Sequence, residues 1–142
     1  MYIYTVNKTK EDKQMTQKLI TAAITNASKK YGLYSQDGKR GHAVVLARFF
    51  TPASNMTWYM TEFDPATGDG FGVVVGQFTE WGYFNLNEMQ NEKMQSGFFR
   101  GMQAIERDIH VTPKKQTLIE CMKSYDDEIP SWLLPKEEEK AA

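Results

Sequence analysis

The chain lacks most of what staples or anchors a protein from outside its own core. One cysteine, Cys121, stands among 142 residues, so no internal disulfide can close and no Cys-based zinc site can assemble. A surplus of one charge is also missing. The 17 Lys and Arg residues against 18 Asp and Glu leave a net charge of -1, and no global field draws in nucleic acid or an anionic membrane. No apolar run approaches the ~20 residues that span a bilayer. Met1–Val6 lacks the basic and apolar regions of a signal peptide. The only histidines, His42 and His110, show no Ser-His-Asp or Cys-His spacing. Gly68, Gly70, Gly72 and Gly76 precede neither a helix start nor a Gly-Lys-Ser/Thr motif, so they form no phosphate-binding fingerprint. The expectation is a cytoplasmic protein with no cofactor and no membrane association.

What is present is core-forming material. Aromatic residues make up 13% of the chain and charged residues 25%, the balance of an ordinary globular domain. A chain of this length buries roughly two-thirds of its unfolded surface. Residues 1–135 read as a single α+β domain, and 136–142, with no apolar anchor, as a disordered tail of mixed charge.

Tyr2–Val6, β-branched and aromatic, reads as a strand. Thr9 is placed as a helix N-cap. Met15, Leu19, Ile20, Ala23, Ile24, Ala27 and Tyr31 then recur at helical spacing, and Gly32 stands just past the end. This pattern predicts one long N-terminal helix packed on a sheet. Ala43–Phe50, Thr57–Phe63, Phe71–Thr79 and Glu80–Phe84 read as strands joined by short connections. Short connections favour an antiparallel meander, because parallel strands need crossovers. Asn85-Leu86-Asn87-Glu88 has capping-box spacing and predicts a helix to about Met94. Ile105–Val111 reads as a further strand and Thr117–Lys123 as a short C-terminal helix.

Five segments carry a resemblance: Phe49-Phe50-Thr51-Pro52, Thr57-Trp58-Tyr59-Met60-Thr61-Glu62, Gly72-Val73-Val74-Val75-Gly76, Gly82-Tyr83-Phe84-Asn85-Leu86-Asn87-Glu88 and Ile105-Glu106-Arg107-Asp108. In order and spacing they resemble an uncharacterised family, a domain of unknown function. Its members occur on plasmids, integrative elements and phages, sometimes near antirestriction genes. The resemblance spans roughly Leu33 to Val111 and implies relatedness, with no activity to carry over. The chain departs from the family pattern at Ile109-His110-Val111, where an aromatic pair is usual. The N-terminal strand and helix look like elaborations.

Glu62 and Asp64 stand two apart near a strand end, as do Glu106 and Asp108, with Glu80 at another strand edge. Converging, such carboxylates would suit Mg²⁺ or Mn²⁺ and a metal-activated water. Dispersed, they cap backbone amides or pair with Arg48 and Arg107, the commoner fate of surface carboxylates. Arg107 offers a bidentate fork for phosphate or a structural tie across strands. Cys121, among Leu118, Ile119 and Met122, reads as a packed apolar residue. Phe49, Phe50, Trp58, Tyr59, Trp81, Tyr83 and Phe84 are dense on successive strands and read mainly as core, with base stacking as the rival. The candidate binding residues are Trp58, Glu62, Asp64, Glu80, Tyr83, Glu106, Arg107 and Asp108, with no metal assigned.

The reading favoured is a small non-catalytic binding protein of a phage or mobile element with a protein partner, in one version an inhibitor of a host defence system. A metal-dependent hydrolase or nuclease using the strand-end carboxylates is the alternative. A nucleic-acid-binding accessory protein is a third, which the charge does not favour.

Overall fold

A computed structural model describes residues 16–135. The strands are β1 (Ala47–Phe50), β2 (Thr57–Asp64), β3 (Asp69–Val75), β4 (Thr79–Asn85) and β5 (Glu106–Arg107), and the helices are α1 (Ala22–Ala27), α2 (Leu86–Gln90) and α3 (Leu118–Ser124). They form the α+β arrangement expected. One five-stranded sheet runs in the order β4-β3-β2-β1-β5, and every pairing is antiparallel. The meander is therefore as its short connections require.

The sheet is covered on both faces, and alternation assigns its residues to two apolar clusters. Phe49, Met60 and Phe63 pack with Leu19, Ile24 and Leu86 on one face. Tyr59 and Val73, cross-strand partners, pack with Val45, Leu118, Met122 and Leu133 on the other. The register slips between Met60 and Glu62, a bulge that puts Thr61 and Glu62 together opposite Phe71. At Gly72 an added Cβ would lie 1.8 Å from the Tyr59 carbonyl oxygen, so only glycine lets β3 approach β2 at this point.

The long N-terminal helix is not what forms. Tyr2–Val6, Thr9 and Met15 lie outside the described residues, as does the tail at 136–142. Within the described residues, helix starts only at Ala22, where the Thr21 side chain accepts from the Ile24 N–H, and it ends at Ala27. Residues 16–20 are not helical because side-chain amides hold their backbone in another conformation. The Gln17 N–H donates to Gln103 Oε1 (2.9 Å), while Gln103 Nε2 and Gln90 Nε2 both donate to the Gln17 carbonyl (2.8 Å each). The Leu19 N–H donates to Gln90 Oε1 at 2.7 Å. Helical spacing carried across this junction, since Leu19, Ala27 and Tyr31 are all buried, yet Ala23 of the expected stripe is exposed.

Other expectations are trimmed at their ends. β1 begins at Ala47, β3 stops at Val75, and the strand read over Ile105–Val111 shrinks to Glu106–Arg107. α2 ends at Gln90, with Asn85 accepting from the Asn87 and Glu88 N–H groups as its cap. α3 has the reciprocal Thr117–Glu120 capping box.

Leu19 is fully buried in the first cluster although it precedes any helix. Leu19→Ala is expected to lower unfolding free energy by about 2–5 kcal/mol through lost transfer energy and the cavity left behind. Urea melting of the two proteins measures it.

Candidate functional site

The register disperses the strand-end carboxylates. Glu62 stands beyond Met60, which pairs with Ala47, whereas Glu106 pairs with Phe50 at the far end of β1. They are thus roughly 15 Å apart along the strands, with β1 between them. Arg107 pairs with Phe49 and so takes the opposite face from Glu106. The expected grouping of Glu62, Glu106 and Arg107 at one side of the sheet does not occur. Among the described residues no three of His, Cys, Asp and Glu come together to hold a metal ion.

Each acid has a local task. Asp64 Oδ1 accepts from the Ala66 N–H at 2.9 Å and Asp64 Oδ2 from the Thr67 hydroxyl at 3.2 Å, shaping the β2–β3 turn. Asp108 forms a 3.0 Å ion pair with Arg48. Glu80 is exposed on β4, and Trp58 packs against the first cluster. The backbone of Arg107 is bound by Gln17, whose Oε1 accepts from its N–H at 2.6 Å and whose Nε2 donates to its carbonyl at 2.9 Å.

The Asp108 pair belongs to a larger network on the second face. The Arg48 guanidinium carbon lies 3.8 Å from the centre of the Tyr125 ring, and the Tyr125 hydroxyl donates to Asp108 Oδ2. The Tyr59 hydroxyl donates to Asp127. Arg48 Nε is buried with no hydrogen-bond partner among the described residues. Burial works against ionised Asp108, but the Tyr125 hydroxyl, the His110 N–H and Arg48 together hold its carboxyl below the usual value. Burial, then the bond to Asp108, pushes the Tyr125 phenol up to about 12. Burial also pushes the Cys121 thiol up to about 11, so at neutral pH it is a packed thiol and not a nucleophilic thiolate.

The most site-like surface lies at the other end of this face. Phe71 of β3 and Trp81 of β4 stack with ring centres 5.4 Å apart and planes within 7°. Tyr83 tilts against Phe71 at 4.7 Å, and Trp132 against Trp81 at 5.8 Å. These rings form a strip, and Tyr83 keeps 59% of its surface in solvent. The aromatic strands therefore divide. Phe49 and Tyr59 are core, as expected, while Trp81 packs half-buried against the second cluster and Tyr83 beside it is exposed.

Beside the strip, a cleft of about 230 Å³ opens between Phe71, Trp81 and the loop Gln36–Arg40, with Thr61 and Glu62 also lining it. Glu62 builds this wall. Only 2% exposed, its carboxylate accepts from the N–H groups of Tyr34 at 2.7 Å and Gln36 at 3.0 Å. Gln36 then donates to the carbonyls of Val44 at 2.9 Å and Thr61 at 2.7 Å, and accepts from the Val44 N–H. Tyr34 holds a positive φ angle of 73°, strained for a residue with a side chain and sustained here by its N–H bond to Glu62. Donation of the Tyr83 hydroxyl to Tyr34, then burial and the neighbouring Tyr34, Glu62 and Asp37 groups, raise the Tyr83 phenol's pKa. The cleft offers the rings of Phe71 and Trp81 and a lining of both charges, Asp37 and Arg40 beside the buried Glu62, to an incoming side chain.

Sequence reasoning found Glu62 and Tyr83 but missed Phe71, Trp132 and Tyr34 as their neighbours. The period-two spacing of Trp81 and Tyr83 was the available signal, since it places both rings on one face of a strand.

A family model described as protein of unknown function (DUF2958) matches residues 14–124, and the chain belongs to that family. Comparison with curated proteins gives no match, nor does comparison with solved structures.

Because the folded-state pKa of Asp108 lies below its unfolded value of about 3.9, its contribution to stability is complete above that pH. It is lost as pH falls through the folded value. Asp108→Ala, which strands Arg48, is expected to cost about 3–5 kcal/mol at pH 7 and to flatten the decline in stability below about pH 4. Denaturant titrations across pH 2–7 (a range set by the carboxyl reference values) test both.

Proposed function

We propose that this protein is a non-catalytic binding module that engages a protein partner through the Phe71–Trp81–Tyr83–Trp132 strip and the adjoining Glu62 cleft. The observation that carries the reading is the strip itself, a run of contacting rings on an ordered sheet in which Tyr83 and Trp132 are exposed. Interface cores are enriched in Tyr, Trp, Phe and Met and depleted in acids, and rigid aromatics make anchors at low entropic cost. A second exposed apolar feature supports the same reading. The turn closed by the Met94 N–H donating to the Met102 carbonyl presents Phe98, the most exposed large apolar residue among the described residues, beside Phe99.

The dispersal of Glu62, Glu80, Glu106 and Asp108 gives the hydrolase alternative no shared site to act from. In the mobile-element setting that the family resemblance implies, the partner would be a host defence protein and the module its inhibitor.

Tyr83→Ala is expected to leave thermal stability nearly unchanged, because exposed substitutions usually stay within about 0.5 kcal/mol. It should weaken partner binding by about tenfold or more, the loss expected of an interface anchor. The measurement is in-cell crosslinking of the tagged wild type to identify the partner, followed by titration of the purified pair with both proteins. Equal affinity for wild type and Tyr83→Ala would remove the strip from the interface. A melting temperature raised by Mn²⁺ or Mg²⁺ and lost in Glu106→Ala would instead favour the hydrolase.

A further inference from the structure

The two edges of the sheet are treated differently. β5 is only two residues long, and at Arg107 the Gln17 side chain occupies the backbone groups that an added strand would use. β4, the other edge, is seven residues long with the sequence Thr-Glu-Trp-Gly-Tyr-Phe-Asn. It pairs with β3 along its whole length without a register shift. Among the described residues no backbone hydrogen bond reaches its outer side. It carries no Pro and no Lys, and its one charge is Glu80. Natural edges of this length are normally blunted by such residues, by bulges or by a covering element.

We propose that β4 pairs antiparallel with β4 of a second copy of this chain, about a twofold axis through Gly82 and perpendicular to the sheet. This goes beyond the partner-binding reading and does not depend on it. Three properties of the edge favour a second copy. The residue at the axis is glycine, so no side chains collide where the copies meet. Trp81 falls opposite Tyr83 of the second copy, on the same face, and the aromatic strip continues across the junction as cross-strand ring pairs. Glu80 falls opposite Phe84, so the two Glu80 carboxylates stand about 14 Å apart along the strands, beyond a Debye length of ~8 Å. The edge therefore meets its own copy without opposing like charges. The product is a ten-stranded sheet in which both aromatic strips lie on one face.

The test uses Gly82→Lys against Gly82→Ala. A Cβ at Gly82 meets only Val74 Cγ2, at 3.4 Å, so the Cβ that both substitutions add is accommodated within one chain. Lysine, however, places two ammonium groups against each other at the axis. Sedimentation equilibrium is expected to show a wild-type dimer, the same for Gly82→Ala, and a dissociation constant raised at least about tenfold for Gly82→Lys, since like charges directly opposite destabilise a strand pair. Amide exchange of wild-type β4 at low and high protein concentration is the second readout, independent of whether Gly82→Lys folds. Protection that grows with concentration supports the proposal. Protection equal at both concentrations in a chain that sediments as a monomer overturns it and assigns the edge to a strand of the same chain. A wild type monomeric throughout, with outer β4 amides unprotected, overturns it and leaves the edge to a strand of another protein.

Discussion

Backbone polar groups that leave the sheet must still find partners, and in this protein carboxamide and carboxylate side chains supply them. Gln17, Gln90 and Gln103 satisfy one another's backbone around residues 16–20 and close the β5 edge. Gln36 and Glu62 do the same for the loop that crosses the opposite end. Without a partner, each such buried group would cost about 1–3 kcal/mol, and a few of them would consume much of a domain's net stability. A side-chain amide presents a donor and an acceptor, as a peptide unit does, so it can stand in for a strand residue where the chain is irregular. The short helices are a consequence. Segments tied down in this way cannot also form the ladder of a long helix.

This arrangement also positions the candidate site. Glu62 reaches the loop because the bulge after Met60 turns it to the face that carries Phe71. Gly70 and Gly72 flank Phe71, and Gly82 separates Trp81 from Tyr83. Large rings thus stand on one face where the other has almost no side chain. That asymmetry lets β3 lie close against Tyr59 and Met60, at contacts a Cβ would forbid, while the opposite face collects an aromatic platform. The constraint that demands glycine for packing and the surface offered for binding are two sides of the same strands.

The Arg48 network marks the boundary between core and site. Its guanidinium is held against Tyr125 and paired with Asp108, and Asp127 receives the Tyr59 hydroxyl. These are residues of β1, β2 and the segments around β5 and α3, so the network ties the C-terminal segment onto the sheet. Its raised phenol and thiol pKa values follow first from burial. The Tyr59, Tyr125 and Cys121 groups therefore keep their protons at neutral pH, as members of a structural joint.

Local pattern determined the meander, the Asn85 cap, the short helix after Thr117, the apolar character of Leu19, Ile24 and Tyr31, and the packed state of Cys121. Each depends on neighbours within a few residues, through alternation, turn chemistry or a side chain bonding its own backbone. Membership in the family, too, was carried by motifs in sequence order. Tertiary structure alone decided where the helical period stops, because the bonds that hold residues 16–20 out of a helix come from Gln90 and Gln103, some seventy to ninety positions away. It also decided which acids meet, since a bulge and a strand register send Glu62, Glu106 and Arg107 apart while bringing Asp108 to Arg48. The aromatic strip was half visible, as Trp81 and Tyr83 alternate correctly on one strand. That Phe71 and Trp132 join them, and that Trp81 is half-buried where Tyr83 is exposed, follows from the order in which the strands pair and from the C-terminal segment that brings Trp132 back to Trp81.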